Sequence, residues 1–492
     1  MIQTALPTVR RIPQRLDADA SRVITRLFVP GQEGFDNQDS RAAAVLTRLM
    51  ALDDHEVQES FDGVVARFAD RHRHLLDTFR RHARELADRL GPECSLSDTR
   101  RLLLGAVFTC EYAIEGAALC NPSLVAHPDQ TGVPEGSLRF VMSVRAVGEG
   151  HRSSIGFRIG TIDAGGHPAV DPPPPLATTG TTGSAPFEAA VFRRELDRLG
   201  SGGENADYVL DTLGDRFTRA ELEERLGRLE GHLRTRKHGR RTISDIRRIA
   251  ERTYSVIFPD TTTLPERVLW PAMGAESNGM EDARFVRFTA DDGAVSYLAT
   301  YTAYDGSEIC QQLLETNDFA TFTSSPVVGP AAANKGLALF PRRIQGRFAA
   351  LSRSDRETNA VAFSDSLCEW PDSSVFQLPE RAWEVLQLGN CGSPIETDDG
   401  WLVLTHGVGP MRTYSIGALL LDIDDPTKIL GQLRETLLSP EPDERSGYVP
   451  NVVYCCGALV HGGTLVIPSG IGDSAVAMAT VPVAELLGAL GG

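Results

Sequence analysis

Glu276-Ser277-Asn278-Gly279-Met280-Glu281-Asp282-Ala283-Arg284-Phe285, continued by Tyr297–Gly306 (YLATYTAYDG), is the stretch on which the reading of this chain turns. Two adjacent carboxylates follow a glycine and precede an arginine. The alternating apolar residues Phe285, Val286 and Phe288 then read as a strand. A carboxylate at the edge of a strand is held by stiff backbone and can face a cavity. An arginine two residues on points to the same side, where it can tune the carboxylate or bind an anion. The plain alternative is a surface Asp–Arg pair closing a turn.

Outward from this block, Tyr254 to the C-terminus is a succession of short alternating runs broken by Gly, Asp, Asn and Pro, among them 348–352, 401–405, 452–456 and 465–468. Regular short runs predict a sandwich, barrel or propeller. Upstream, 138–145 and 153–160 are two more strand-like runs around Gly148-Glu149-Gly150. Residues 171–183 (DPPPPLATTGTTG) read as a linker unable to continue a strand. From about Pro186 to Arg252 the pattern is charged and helical, with Leu222, Leu226, Leu229 and Leu233 on one stripe. Such a stripe predicts a helix packed on its own domain, covering the β-region or making a dimer contact.

Residues 1–30 predict a leading strand or arm, with 22–30 as its apolar run, packing on something later. Helices follow from about Asp39 to Leu90, stopped by Gly91-Pro92, and a further one, capped at Ser95–Asp98, is expected to run to about Gly116. His72, His74 and His82 fall among Arg and Asp on a solvated helix face, and no metal is expected there.

A formal charge of -17 argues against nucleic acid as a partner, because phosphate neutralisation needs clustered Lys and Arg. No uninterrupted apolar stretch is long enough for a membrane helix. The first residues, MIQTALPTVRRIPQRL, lack the apolar segment of a signal peptide, so the expected location is cytoplasmic. The eight cysteines lack metal-type spacing and read as reduced, mostly buried thiols. No nucleotide-binding glycine motif occurs.

The Glu281-Asp282-Ala283-Arg284 block resembles the E-D-P-R signature of glycoside hydrolase family 130, the family of β-mannoside phosphorylases and β-mannosidases. Ala283 stands where the family often has proline. The downstream TYTAYDG is similar to the family too. Asn121-Pro122-Ser123 with the strand carrying Arg145 resembles its first propeller blade. Later blocks are similar in order: 334–341, 351–353, 388–394, 401–407, and 447–454 with 469–473. The resemblance covers about 121–170 and 254–488. It implies a mainly β protein, a five-bladed β-propeller with an N-terminal helical region and a helical insertion. The divisions are 1–120 (arm and helices), 121–170 (first blade), 171–253 (linker and insertion) and 254–492 (remaining blades).

Glycoside cleavage needs a proton for the leaving oxygen and a nucleophile at the anomeric carbon. The resemblance implies Asp282 as the acid, acting through a sugar hydroxyl. Lys335, Arg353 and His406 stand at its phosphate-binding positions, Lys335 in place of an arginine. A fourth basic position aligns with Gln387, which is a loss of charge. Asp473 resembles an aspartate that binds hydroxyls of the mannosyl ring. Asn121, Arg145, Glu281, Tyr304 and Asp305 are candidates for the same pocket, whereas Trp401 reads as core. The expected function is an inverting phosphorylase that cleaves β-mannosides with inorganic phosphate to give mannose 1-phosphate, with phosphate as co-substrate and no cofactor. The alternatives are a β-mannosidase of the same family, a mannosyltransferase, and a non-catalytic propeller binding module. The expected partners are an oligosaccharide and phosphate, with neither nucleic acid nor membrane; a homo-oligomer stays open.

Overall fold

The computed structural model describes residues 6–31, 40–90, 96–233 and 236–491. The expected helix start near Asp39, the stop at Gly91-Pro92, Ser95, Cys94 and residues 1–5 lie outside them. The chain divides into two compact units, one of Met1–Ala18, Ala117–Pro173 and Gly180–Gly492, the other of Asp19–Gly116 and Pro174–Thr179.

In the second unit, the helices Arg41–Ala51, Asp54–Phe68, Leu75–Leu90 and Asp98–Val107 accompany the strand pair Val23–Leu27 and Thr109–Ala113. Ser40, Asp53 and Ser97 each cap a helix by accepting a backbone N–H, which satisfies donors that a helix start leaves free. Leu49, Val57, Ala83, Leu86, Leu103, Leu104 and Phe108 form the core. His72 bonds Glu111 and His82 bonds Thr109, while His74 is exposed.

The first unit is mainly β. Five antiparallel four-stranded units can be traced in it, each with its first strand opening the run. They are Ala118–Ala126/Leu138–Val147/Ser153–Ile162/Pro168–Val170 and Gly279–Thr289/Val295–Tyr304/Ile309–Thr316/Thr321–Pro326, both in one larger sheet. Next come Ala338–Leu339/Phe348–Ser352/Asn359–Ser364/Ser374–Gln377 and Gln387–Asn390/Gly400–Gly409/Thr413–Leu421/Ile429–Gln432. The last is Val453–Tyr454/Thr464–Ile471/Ala475–Pro482, whose outer strand is Arg10–Asp17 from the other end of the chain. The register slips between Ile12 and Arg15, and Pro13 lies in that gap, where its missing N–H costs no ladder bond.

A buried glutamate recurs ahead of the strands. Glu266, Glu276, Glu384 and Glu444 each close a short 3-10 turn by accepting backbone N–H groups at its start. Glu276 also accepts from the hydroxyls of Tyr254 and Tyr301, at 2.8 and 2.5 Å, and burial pushes its carboxyl up. This anchors the turn three residues before the strand that carries Asp282.

The insertion forms helices Ala189–Arg198, Glu204–Leu210, Arg219–Gly231 and Gly239–Glu251. Leu222, Leu226 and Leu229 are fully buried against Phe192, Phe217 and Ile246, and Leu233 is partly buried. The stripe is thus consumed inside its own helical cluster. The linker expectation needs a correction: Thr181–Ser184 is a strand, paired with Tyr254–Ile257. Trp401 is core, its indole N–H donating to the Ile423 carbonyl. Among the described residues no helix is long and apolar enough to cross a membrane, and the seven described cysteines are free thiols.

Candidate active site

Two β-bulges place the first site residues. The register of Gly279–Thr289 on Val295–Tyr304 slips between Glu281 and Arg284, and that of Ala118–Ala126 on Leu138–Val147 slips between Cys120 and Ser123. Asp282 and Asn121 sit in these slips with left-handed backbones, φ 54° and 49°. Asp and Asn tolerate this region better than most residues, and a bulge re-aims a side chain out of the ladder. The two bulges are tied together: the Phe285 N–H donates to Ser123 Oγ, at 3.1 Å. The arginine does not simply share a face with Asp282, because the bulge intervenes. Arg284 donates to the Asp282 carbonyl at 3.0 Å and to the Tyr454 hydroxyl at 2.7 Å.

Four cations surround the paired carboxylates. Arg145 donates to Glu281 at 2.6 Å and lies 3.9 Å from Asp282. The Lys335 ammonium donates to the other Glu281 oxygen at 3.0 Å. Arg284 and Arg353 act on Asp282 through their charge. Asp282 is 8% exposed, and its carboxylate makes no hydrogen bond among the described residues. Burial pushes this carboxyl up, but Lys335, Arg284, Arg145 and Arg353 together outweigh it, so Asp282 sits below the ordinary carboxylate range. Burial works against the Lys335 ammonium too, and Asp282 and Glu281 hold it above its usual value.

Arg353 directly follows the strand Phe348–Ser352 and is buried. It packs so closely that a Cβ on Gly336, whose φ is 96°, would lie 2.5 Å from its Cδ. A Cβ on Gly389 would meet both Arg353 and His406. Only glycine fits at these two positions. His406 Nδ1 faces the Asn390 carbonyl at 3.0 Å and therefore carries the proton. Its Nε2 then accepts from Arg353 Nη1, also at 3.0 Å. Burial, with Arg353 and Arg284 nearby, pushes His406 far below its usual value. Standing at a position where the resemblance implies a basic residue, His406 adds no cation: the imidazole is neutral, has both nitrogens engaged, and orients Arg353. Gln387 Nε2 lies 3.5 Å from the same His406 nitrogen.

Asp473 occupies the turn between Thr464–Ile471 and Ala475–Pro482 with φ 47°. Burial pushes it up to about 6; Arg145 opposes this, while Asp282 and Glu281 add to it. An acid raised on folding costs nothing while both states are protonated. Its penalty grows above the ordinary value of 3.8 and is complete above about 6. Asp473→Asn is therefore expected to stabilise the ligand-free protein at pH 7.5 by up to about 3 kcal/mol, with only a small part of that gain near pH 4. Urea midpoints at the two pH values check this, and equal shifts at both would refute it.

Tyr304 and Asp305 are not gathered into this cluster. The Tyr304 hydroxyl donates to the Gly306 carbonyl, and the Asp305 carboxylate accepts from Ser307 and Glu308, so both close the turn of their own hairpin. Sequence reasoning missed Tyr454, which receives Arg284 and meets the His406 ring edge-on at 4.9 Å. It lies in the 447–454 block, but nothing local marked it. Arg356, exposed, donates to Asn334 beside Lys335. Among the described residues no group of three His, Cys, Asp or Glu side chains is disposed to hold a metal ion.

Comparison with known proteins adds four findings. The family model of glycoside hydrolase family 130, described as beta-1,4-mannooligosaccharide phosphorylase, matches residues 243–491. The 1,2-beta-oligomannan phosphorylase of a Thermoanaerobacter species is 33% identical over 218 residues, which are 43% of this chain and 71% of that protein. The beta-1,2-mannobiose phosphorylase of Listeria innocua is 29% identical over 233 residues, 46% of this chain and 64% of that protein, so under two thirds of its length is spanned. The solved structure of a Listeria innocua beta-1,2-mannobiose phosphorylase with beta-1,2-mannobiose gives a TM-score of 0.46 at 19% identity, over 77% of this chain and 93% of that one.

Proposed function

Because the chain belongs to glycoside hydrolase family 130, matched over residues 243–491, we propose that it is an inverting β-mannoside phosphorylase built on a five-bladed propeller. The five four-stranded units are its blades, with the N-terminal arm strand completing the last. Residues 1–120 are the arm and helical region, 121–170 the first blade, 171–253 the linker and insertion, and 254–492 the remaining blades. The relatives quoted above are phosphorylases acting on β-mannosides, and this is the substrate class assigned here.

The observation that carries the reading is the cation cluster of Arg145, Arg284, Lys335 and Arg353 in a chain of net charge -17. A phosphate dianion entering so acidic a protein needs local compensation. Arg353 Nε and Arg145 Nε are buried without a partner, and a buried donor left unpaired points to a ligand acceptor. In the reaction, a phosphate oxygen bonds the anomeric carbon from one face while the bond to the leaving oxygen breaks on the other. The leaving oxygen takes its proton from Asp282, relayed by a sugar hydroxyl. Asp282 is ionised in the ligand-free protein. Phosphate drawn to Lys335 and Arg353 offsets the field that depresses its pKa, so the carboxyl takes up its proton as the site fills.

One observation favours a second reading. Gln387 and the neutral His406 leave only Lys335 and Arg353 as charged residues at the four expected phosphate positions. That suits a β-mannosidase, in which water attacks. Incubating the protein with manno-oligosaccharides with and without phosphate decides between them. Mannose 1-phosphate formed only with phosphate is the expected result; free mannose formed at the same rate in both overturns it.

A further inference from the structure

Tyr448 and His151 lie 297 positions apart in sequence, yet their rings stack with centroids 5.2 Å apart and an interplanar angle of 17°. The Tyr448 hydroxyl and His151 Nδ1 are hydrogen-bonded at 2.7 Å. Both residues are exposed, Tyr448 at 53%. A large aromatic ring that is held rigidly yet left in water forgoes the apolar burial that normally fixes such a side chain. His151 additionally carries a left-handed backbone, φ 60°, in the turn from Gly148 to Arg152. Strain of this kind persists where surrounding structure imposes it, and it concentrates at ligand sites.

The pair is attached to both sides of the cluster around Asp282. Two residues after His151, Ser153 pairs with Gly279 and its hydroxyl donates to the Met280 carbonyl at 3.1 Å, next to Glu281 and Asp282. On the other side the Tyr448 loop lies against the turn that carries Asp473. The Val449 N–H donates to the Gly472 carbonyl at 2.9 Å, and Gly447 packs so tightly on Gly472 that a Cβ there would be 2.3 Å from its oxygen. The ring is therefore fixed relative to the Asp282 bulge by one strand and relative to Asp473 by one turn.

We propose that the stacked Tyr448–His151 pair is the platform for the leaving-side sugar, the ring released when the mannosidic bond breaks. A pyranose has polar edges and C–H faces. The charged cluster suits the polar edges and the developing charge, and the exposed flat aromatic pair suits an apolar face. The inference rests on the mannoside reading of the site and adds the residues that select the acceptor.

The test runs the reaction in the synthetic direction, from mannose 1-phosphate with mannose or mannobiose as acceptor. Tyr448→Ala is expected to raise the acceptor KM about five- to tenfold, with the mannose 1-phosphate KM held within twofold. Tyr448→Phe, which keeps the ring and loses only the bond to His151, recovers most of that loss. Calorimetric titration of mannobiose into Asp282→Asn protein, with and without Tyr448→Ala, separates the two layers of the argument. If Asp282→Asn protein binds no mannoside, the mannoside reading falls. If it binds and the added Tyr448→Ala leaves the affinity unchanged, the platform falls alone. An equal rise in both KM values also overturns it, because a platform for one sugar must act on one substrate.

Discussion

Asp282→Asn is expected to lower kcat on a β-mannoside by about 10²- to 10⁴-fold, the usual worth of a positioned general acid. Substrate binding should change much less. The substitution is clean for structural reasons. Asparagine accepts the left-handed backbone at φ 54° as readily as aspartate does. The carboxylate gives up no hydrogen bond among the described residues, and the Arg284 bond to the residue-282 carbonyl is backbone and survives. Stability should nevertheless fall somewhat at neutral pH. A carboxyl held below its ordinary range contributes stability above its unfolded value of 3.8, which disappears as pH falls through the lower folded value. The measurement is kcat at pH 7.5 beside thermal midpoints at pH 7.5 and below pH 3, where the stability difference should shrink. A folded variant with kcat within a few fold of the parent would remove Asp282 from the mechanism.

What sequence reading recovers here follows the distance over which each signal acts. The strand at Phe285, Val286 and Phe288 and the stripe at Leu222, Leu226 and Leu229 are local signals, and both elements appear where expected, although the strand is buried on both faces rather than alternating. The bulges at Asn121 and Asp282 are not local. A bulge exists only in the pairing of one strand with another, and neither strand alone encodes the slip. For the same reason residues 1–30 read as a leading strand or arm without a partner, and the pairing of Arg10–Asp17, charged and containing Pro13, is set by the far end of the chain. His406 fails differently. The resemblance assigns it a phosphate-binding position, but its charge depends on burial and on the Asn390 carbonyl, which composition does not carry. Tyr448 and His151 are unremarkable in sequence, since a stack across 297 positions leaves no local trace. The recurrent capping glutamates did have a signal, a Glu three positions into a turn, as at Thr263–Glu266 and Arg381–Glu384.

The second large effect is expected at Arg353. Arg353→Ala should raise the phosphate requirement about 10- to 100-fold, since each hydrogen bond to a charged group is worth ~1.5 to 3 kcal/mol. The guanidinium is buried, is held by His406 on one nitrogen, and leaves its Nε without a partner. Those are the marks of a side chain pre-oriented for an anion it does not yet hold. Gln387→Lys should act in the opposite direction. Its amide lies 3.5 Å from His406 Nε2, so an ammonium there adds a cation beside Arg353 without displacing the neutral imidazole. Initial rates against phosphate concentration for parent and both variants, on one β-mannoside, measure the two effects together. Water carries no charge to compensate, so a hydrolase would show neither shift. A parent rate indifferent to phosphate would leave the β-mannosidase standing. A parent that requires phosphate, with Arg353→Ala unchanged, would move the phosphate site away from Arg353 and towards Lys335, the ammonium paired with Glu281 at 3.0 Å.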